Sequence, residues 1–389
     1  MAPGTHPVTH AIPLHRTPFE DADSDLVGKA LKSGLLVGDG AASHVLAAAA
    51  RRTLGCSHAF TTPSCTHALE LMMRALPLEP GDEVICPSFT FVSAANAVML
   101  AGGRVVFAEV EPDTLNLDPT DAASRITGRT RALITGHYAG VAFGLEELER
   151  LAEAHGCAFL EDAAHALGGR FNDQPLGTLG AAGAFSFHGT KNVVSGEGGM
   201  FVTSDPEMAD RAEIIREKGT DRSRFTRDEI DRYTWQEIGS SYLMSDLLAT
   251  LVLSQWQRLE AITAARRARF ETYQAAFEPL AAAGAVTRPT VPAGCEPAYH
   301  IYYVLAETVG ARNELASFLR QRGIEASSHY VPLHLSPFAQ RALHTRPGMF
   351  PVTESVADRL LRLPLYPFLS RDDQQSVVDA VFAFFGRRA

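Results

Sequence analysis

The apolar pattern changes period several times along the chain. Over residues 24–36 apolar positions recur at helical spacing, and the run stops near Gly34; residues 45–54 repeat the pattern. After Thr66 short apolar runs alternate with amphipathic ones. Residues 84–86, 104–110, 132–135, 157–160, 182–187 and 199–203 read as strands. Residues 92–100, 119–126 and 145–155 read as the helices between them. Such alternation predicts a mainly parallel sheet with helices on both faces. Residues 245–277, rich in Ala, Leu and Arg, read as one long helix bridging two domains. Beyond Pro289 the order is a strand over 301–305, a helix over 313–322, a strand over 326–331 and a helix over 370–385. This predicts a smaller α+β domain over 256–389, after an N-terminal segment and a large domain over 1–255. Residues 1–20, rich in Pro and His, read as extended.

The chain has 389 residues, enough for two cores. Its formal charge of −10 argues against general binding to nucleic acid or a membrane surface. It leaves room for an anionic small substrate held by local Lys and Arg. No apolar run approaches a membrane span, and the first residues lack the apolar core of a secretory signal, so the expected location is the cytoplasm. Five cysteines without C-x-x-C spacing read as free thiols. Fourteen histidines include no H-E-x-x-H arrangement, so no metal site is expected.

Two positions carry the chemistry. Asp162 ends the apolar run 157–160 within Glu161-Asp162-Ala163-Ala164-His165. Lys191 follows the run 182–187 within Ser186-Phe187-His188-Gly189-Thr190-Lys191. A lysine after a strand is usually a solvated loop residue, and an Asp at a strand end is often a helix cap. Together, at the carboxyl ends of two strands, they are the two groups that pyridoxal 5′-phosphate (PLP) requires. The lysine holds the cofactor as a Schiff base, and the carboxylate keeps the pyridine nitrogen protonated. Thr62-Pro63-Ser64-Cys65-Thr66-His67 stands before an amphipathic run, which places small hydroxyl residues at a helix N-terminus. Free N–H groups and the helix dipole make that a phosphate cradle, with the Ser186 hydroxyl as a second donor.

These motifs, with Pro87-Ser88-Phe89-Thr90-Phe91-Val92 and Gly196-Glu197-Gly198-Gly199, resemble the DegT/DnrJ/EryC1/StrS family from about Thr17 onward. The resemblance implies the PLP-dependent transferase fold type I (aspartate aminotransferase-like): an α/β chain with a large, mainly parallel-sheet domain and a smaller C-terminal α+β domain. It implies Lys191 as covalent and proton-transferring lysine, Asp162 at the pyridine nitrogen and His165 at the ring hydroxyl. Phe91 would stack on the ring. Thr66, the His67 backbone and Ser186 would hold the phosphate. Ser241 stands where many relatives carry an Asn that completes the neighbouring subunit's phosphate site, which implies a homodimer. Lys218, Arg222, Arg224, His329 and Tyr330 are candidates for the sugar nucleotide; solvated surface charge is an equal alternative for each basic residue taken singly. The segments 216–220, 238–246 and 329–334 resemble the branch that moves an amino group from L-glutamate to C4 of dTDP-4-keto-6-deoxy-D-glucose. A 3-keto or UDP-linked sugar, or a non-catalytic partner subunit, remains open on the same residues.

Overall fold

In the computed structural model, which describes residues 11–34 and 36–386, thirteen strands form three sheets. In chain order they are β1 (His58–Thr62), β2 (Glu83–Pro87), β3 (Arg104–Ala108), β4 (Thr130–Gly136), β5 (Ala158–Asp162), β6 (Arg170–Phe171), β7 (Gln174–Pro175), β8 (Ala182–Ser186), β9 (Gly199–Thr203), β10 (Val286–Thr287), β11 (Cys295–Glu296), β12 (Tyr302–Ala306) and β13 (Leu360–Leu363). The main sheet runs β1-β9-β8-β5-β4-β2-β3. β3, β2, β4, β5 and β8 are parallel, and β9 runs antiparallel to both its neighbours.

The period of two within each strand sorts its side chains between two cores. Ile85, Leu133, Phe159, Met200 and Val202 face one apolar cluster, with the helix Ala41–Leu54 and Trp256. Val84, Cys86, Ala132, Ile134, Leu160 and Phe201 face the other, with the helices Cys65–Ala75 and Val92–Leu100. Both faces are covered, so the central strands are apolar throughout rather than alternating. This is fold type I of the PLP-dependent transferases. A third cluster unites Phe270, Tyr273, Tyr302, Val304, Leu361, Leu363 and Phe384 around the antiparallel sheet β10-β12-β13. Ile12 joins that cluster and bridges to Ile324, so residues 11–16 pack on the C-terminal part of the chain. The extended reading of residues 1–10 lies outside the described residues, as does Leu35 in the run 24–36.

Two expectations are corrected. The single helix over 245–277 is two, Asp246–Trp256 and Leu259–Ala276. The turn between them places Arg258 against Asp23 at 2.7 and 2.9 Å and against the Pro18 carbonyl. The strand over 326–331 is absent. That segment makes one isolated bridge, Ser327 to Arg362, while β13 takes the place beside β12. Extended but unladdered, 327–330 is free to turn His329 and Tyr330 into a cavity at the edge of the large sheet.

Candidate active site

The cavity has a volume of about 590 Å³ and lies at the carboxyl ends of the parallel strands. Eight of the residues singled out in the sequence line it: Thr66, Phe91, Asp162, His165, Ser186, Lys191, His329 and Tyr330. Asp162 is the last residue of β5, between Gly136 of β4 and Ala184 of β8. It is 8% exposed, and Ala164 N–H donates to its Oδ1 at 3.2 Å. Burial raises its pKa, against the Ala164 N–H, Lys191 and His137, which lower it. Lys191 follows β8 in a tight turn closed by its N–H to the His188 carbonyl at 2.9 Å. Burial brings its ammonium down to about 8, with Cys65 and Asp162 acting in the opposite direction.

At the other end of the cavity the helix Cys65–Ala75 points its N-terminus inward. Ser64 caps it, taking the His67 N–H at 3.2 Å. The N–H groups of Cys65 and Thr66 belong to the same unpaired first turn. Gly199 of β9 pairs with Ser186 on one side and Thr62 on the other. A Cβ there would stand 2.4 Å from the Ser64 carbonyl carbon and 2.5 Å from Cys65 N. Only glycine lets the strand approach the helix end this closely. The Thr66 hydroxyl meets Ser93 Oγ at 2.7 Å.

Aromatic side chains form the opposite wall. His329 and Tyr330 stack on one another at 3.7 Å, and Tyr138 donates to or accepts from His329 Nδ1 at 3.1 Å. His165 lies 4.4 Å from the His300 ring and 3.4 Å, through Nε2, from the Tyr330 hydroxyl. Burial, then the positive charge of Lys191, holds His165 well below its usual pKa; burial, Arg362 and Lys191 push His329 down to about 2. Both rings are therefore neutral at neutral pH. Phe91 sits on the rim, 55% exposed, 6.2 Å from the Tyr330 ring.

Comparison with known proteins decides the family. Residues 19–382 match the DegT/DnrJ/EryC1/StrS aminotransferase family. The chain belongs to this family. The aminotransferase is 35% identical over 335 residues to the spore coat polysaccharide biosynthesis protein SpsC of Bacillus subtilis, covering 84% of this chain and 85% of SpsC. Its fold is similar to that of the aminotransferase TlmJ from Streptoalloteichus hindustanus, with a TM-score of 0.88, 31% identity, and coverage of 97% of this chain and 99% of that one. It is also similar to PseC of Helicobacter pylori, an aminotransferase of pseudoaminic acid biosynthesis, with a TM-score of 0.90, 25% identity, and coverage of 97% and 100%.

The cofactor of this aminotransferase is PLP, and the cavity suits it on three counts. A helix N-terminus with a glycine-cleared approach can receive a phosphate. A buried carboxylate with a single hydrogen bond among the described residues can receive a pyridinium, which would reverse the burial-driven rise of its pKa. A lysine in the same cavity, its ammonium already weakened by burial, can serve as the amine.

The remaining sequence candidates lie elsewhere in the chain. His67 stands behind the Ser64 cap, its N–H and Nδ1 both turned to Ser64 Oγ, and its ring 5.2 Å from Tyr242. Lys218, Arg222 and Ser241 line a second cavity, and Lys218 Nζ and Arg222 Nη1 both pair with Glu217 at 3.0 and 3.1 Å. Arg224 pairs with Asp210 at 3.2 Å and lines neither cavity. Sequence reading missed Tyr138, Arg266, His300 and Arg362 in the wall of the first cavity. Tyr138 follows the end of the predicted strand 132–135 and was within reach of notice. The other three carry no local signal.

Proposed function

We propose that this enzyme moves the amino group of L-glutamate to C4 of dTDP-4-keto-6-deoxy-D-glucose. The products are 2-oxoglutarate and dTDP-4-amino-4,6-dideoxy-D-galactose, and the working form is a cytoplasmic homodimer. The observation that carries amino transfer is Lys191 and Asp162 in one cavity at the carboxyl ends of β5 and β8. Among the described residues no helix is long and apolar enough to cross a membrane. A sugar substrate is supported by PseC and SpsC, whose names place them in the synthesis of pseudoaminic acid and of a spore coat polysaccharide. The choice of a dTDP-linked 4-keto sugar is supported by the segments 216–220, 238–246 and 329–334, which cofactor binding alone does not require.

PLP, when bound, supplies an electron-withdrawing ring and a carbon that binds amines covalently. Lys191 would be the residue that holds the cofactor through that carbon. Lys191 Nζ would take the proton from Cα of the donor, a role that suits an ammonium already weakened by burial. Asp162 would keep the ring nitrogen protonated. Thr66, Ser186 and the first N–H groups of the helix Cys65–Ala75 would hold the phosphate, and His165 and Phe91 would serve the ring. His329 and Tyr330 form the wall toward the sugar. Lys218, Arg222, Arg224 and Ser241 serve the neighbouring subunit's cavity.

Incubation of the enzyme with L-glutamate and the 4-keto sugar nucleotide, followed by NMR of the product, tests the assignment. An axial C4 amine, seen as a small H3–H4 coupling, is expected. An equatorial C4 amine rejects the galacto product, and a C3 amine rejects the 4-keto substrate.

A further inference from the structure

Arg362, on β13, enters the wall of the first cavity, and nothing in the reading above employs it. Its Nη2 is tied to Ser327 Oγ at 3.3 Å and to the Ser328 carbonyl at 3.2 Å. Its Nε is buried and has no hydrogen-bond partner among the described residues. Among those residues no carboxylate stands within ion-pair distance of it. Glu325, whose charge it feels, is turned to the Leu14 N–H at 2.8 Å. A buried guanidinium donor without an acceptor is strongly unfavourable, so an orphan of this kind marks the place of an acceptor that arrives with a ligand.

The other guanidinium in the wall is already satisfied. Arg266 gives Nε to Asn192 Oδ1 at 2.8 Å, Nη1 to the Leu365 carbonyl and Nη2 to the His300 carbonyl. The histidines beside it, His165, His300 and His329, are held neutral by burial. Arg362 is thus the fixed cation that faces the space between Lys191 and the aromatic wall. Its charge is felt by Lys191, His165, His329, Tyr138 and Tyr330, the groups that surround any amine brought to the lysine.

Three anions have to be accommodated. The cofactor phosphate has the N-terminus of the helix Cys65–Ala75. The pyrophosphate of the sugar nucleotide has its candidates, Lys218 and Arg222, outside this cavity. The carboxylates of the amino-acid donor have none of these, and one of them must lie a single bond from the carbon that loses its proton to Lys191. A planar two-oxygen anion matches a guanidinium, which a tetrahedral phosphate or a neutral sugar does less well. We propose that Arg362 anchors a carboxylate of the amino-acid donor, fixing the donor's Cα beside Lys191. This rests on the reading of the cavity as the site of a dicarboxylate-dependent aminotransferase.

The test uses the holoenzyme and two probes, glutarate and dTDP, titrated by calorimetry, together with the two half-reactions measured separately. In Arg362→Gln the dissociation constant for glutarate and the KM for L-glutamate should both rise by roughly 30-fold or more, the loss of a charge-assisted pair. The sugar half-reaction and the affinity for dTDP should stay within about threefold of native, since neither draws on that pair. Arg362→Lys, which keeps the charge and loses the planar fork, should recover part of the glutarate affinity. Unchanged glutarate affinity in a folded Arg362→Gln enzyme that retains its visible absorbance overturns the proposal. So does a fall in dTDP affinity with glutarate unaffected. A native enzyme that binds glutarate but does not react with L-glutamate rejects the donor named above. Loss of glutarate binding on substitution would still uphold the anchor.

Discussion

At the scale of single residues, the site is set by what burial does to Lys191 and Asp162. Lysine in water titrates near 10.5, and burial brings Lys191 to about 8. In the cofactor-free protein the folded state therefore releases its proton before the unfolded state does. Below pH 8 the native protein carries a buried ammonium at a cost; between about 8 and 10.5 that cost fades as pH rises. Lys191→Met should then raise the melting temperature of the cofactor-free protein at pH 7, by an amount that shrinks toward pH 10.5. Equal shifts at both pH values would contradict the buried-cation account. The same substitution should abolish turnover and the yellow colour of the covalently bound cofactor. Asp162→Asn should leave the fold intact and slow turnover on the order of 10²-fold or more, because a charge-assisted bond at the ring nitrogen becomes a neutral one. Unfolding instead of slow turnover would make Asp162 a structural residue. These two residues were legible in the sequence because Asp162 follows directly on one apolar run and Lys191 comes just after another, each within a distinctive motif. Arg362 was not, because Leu360-Leu361-Arg362-Leu363 has the appearance of a strand with one solvated charge. Its importance comes from a cavity that only the packed chain creates.

At the scale of elements, the proposed phosphate cradle depends on how closely β9 approaches the helix Cys65–Ala75. Gly199 sits beside Ser186 in register, with the Ser64 carbonyl carbon 2.4 Å from where its Cβ would be. Backbone cannot yield as a side-chain tip can, so Gly199→Ala should push the helix end away from β9. The expected loss is about 1–3 kcal/mol of stability, as for other forced overpacking. PLP affinity should weaken by tenfold or more if that shift is carried into the cradle, roughly the 1.4 kcal/mol equivalent. Thermal melts and cofactor titration check both; unchanged PLP affinity would show that the cradle does not depend on this approach. The helices Val92–Leu100 and Leu145–His155 and the strand Gly199–Thr203 could be read from periodicity alone. The break after Trp256 could not, since Gln257-Arg258 contains neither Pro nor Gly. A contact some 235 positions away in sequence, Arg258 to Asp23, fixes its place. The segment 326–331 failed for a related reason: its composition suits a strand, but β13 takes the place beside β12.

At the scale of the whole molecule, Lys218, Arg222 and Ser241 stand apart from Lys191. Within one chain they line a cavity separate from that of Lys191, and Lys218 and Arg222 both pair with Glu217. Of the exposed apolar side chains, Val37 lines that cavity, and Tyr233, Trp235 and Ile238 belong to the segment between its lining residues Arg227 and Ser241; Trp235 is 78% exposed. Side chains of this size left in water are a feature of surfaces that meet a partner. If the partner is a second copy related by a two-fold axis, each copy's Lys218 and Arg222 can complete the other's site. Mixing variants separates this from action within one chain. Lys191→Ala alone is expected to be inactive, and the double variant Lys218→Ala/Arg222→Ala to be impaired toward the sugar nucleotide. In a mixed dimer the site that keeps Lys191 receives native Lys218 and Arg222 from its neighbour, while the second site carries both defects. Random exchange of subunits in equal amounts should therefore restore about a quarter of native activity, from half the dimers each with one intact site. Were the cations to act in their own chain, neither site of the mixed dimer would be whole, and mixing would restore nothing. Sedimentation of the mixture shows whether dimers are present, so a failure to recover activity cannot be confused with a failure to assemble.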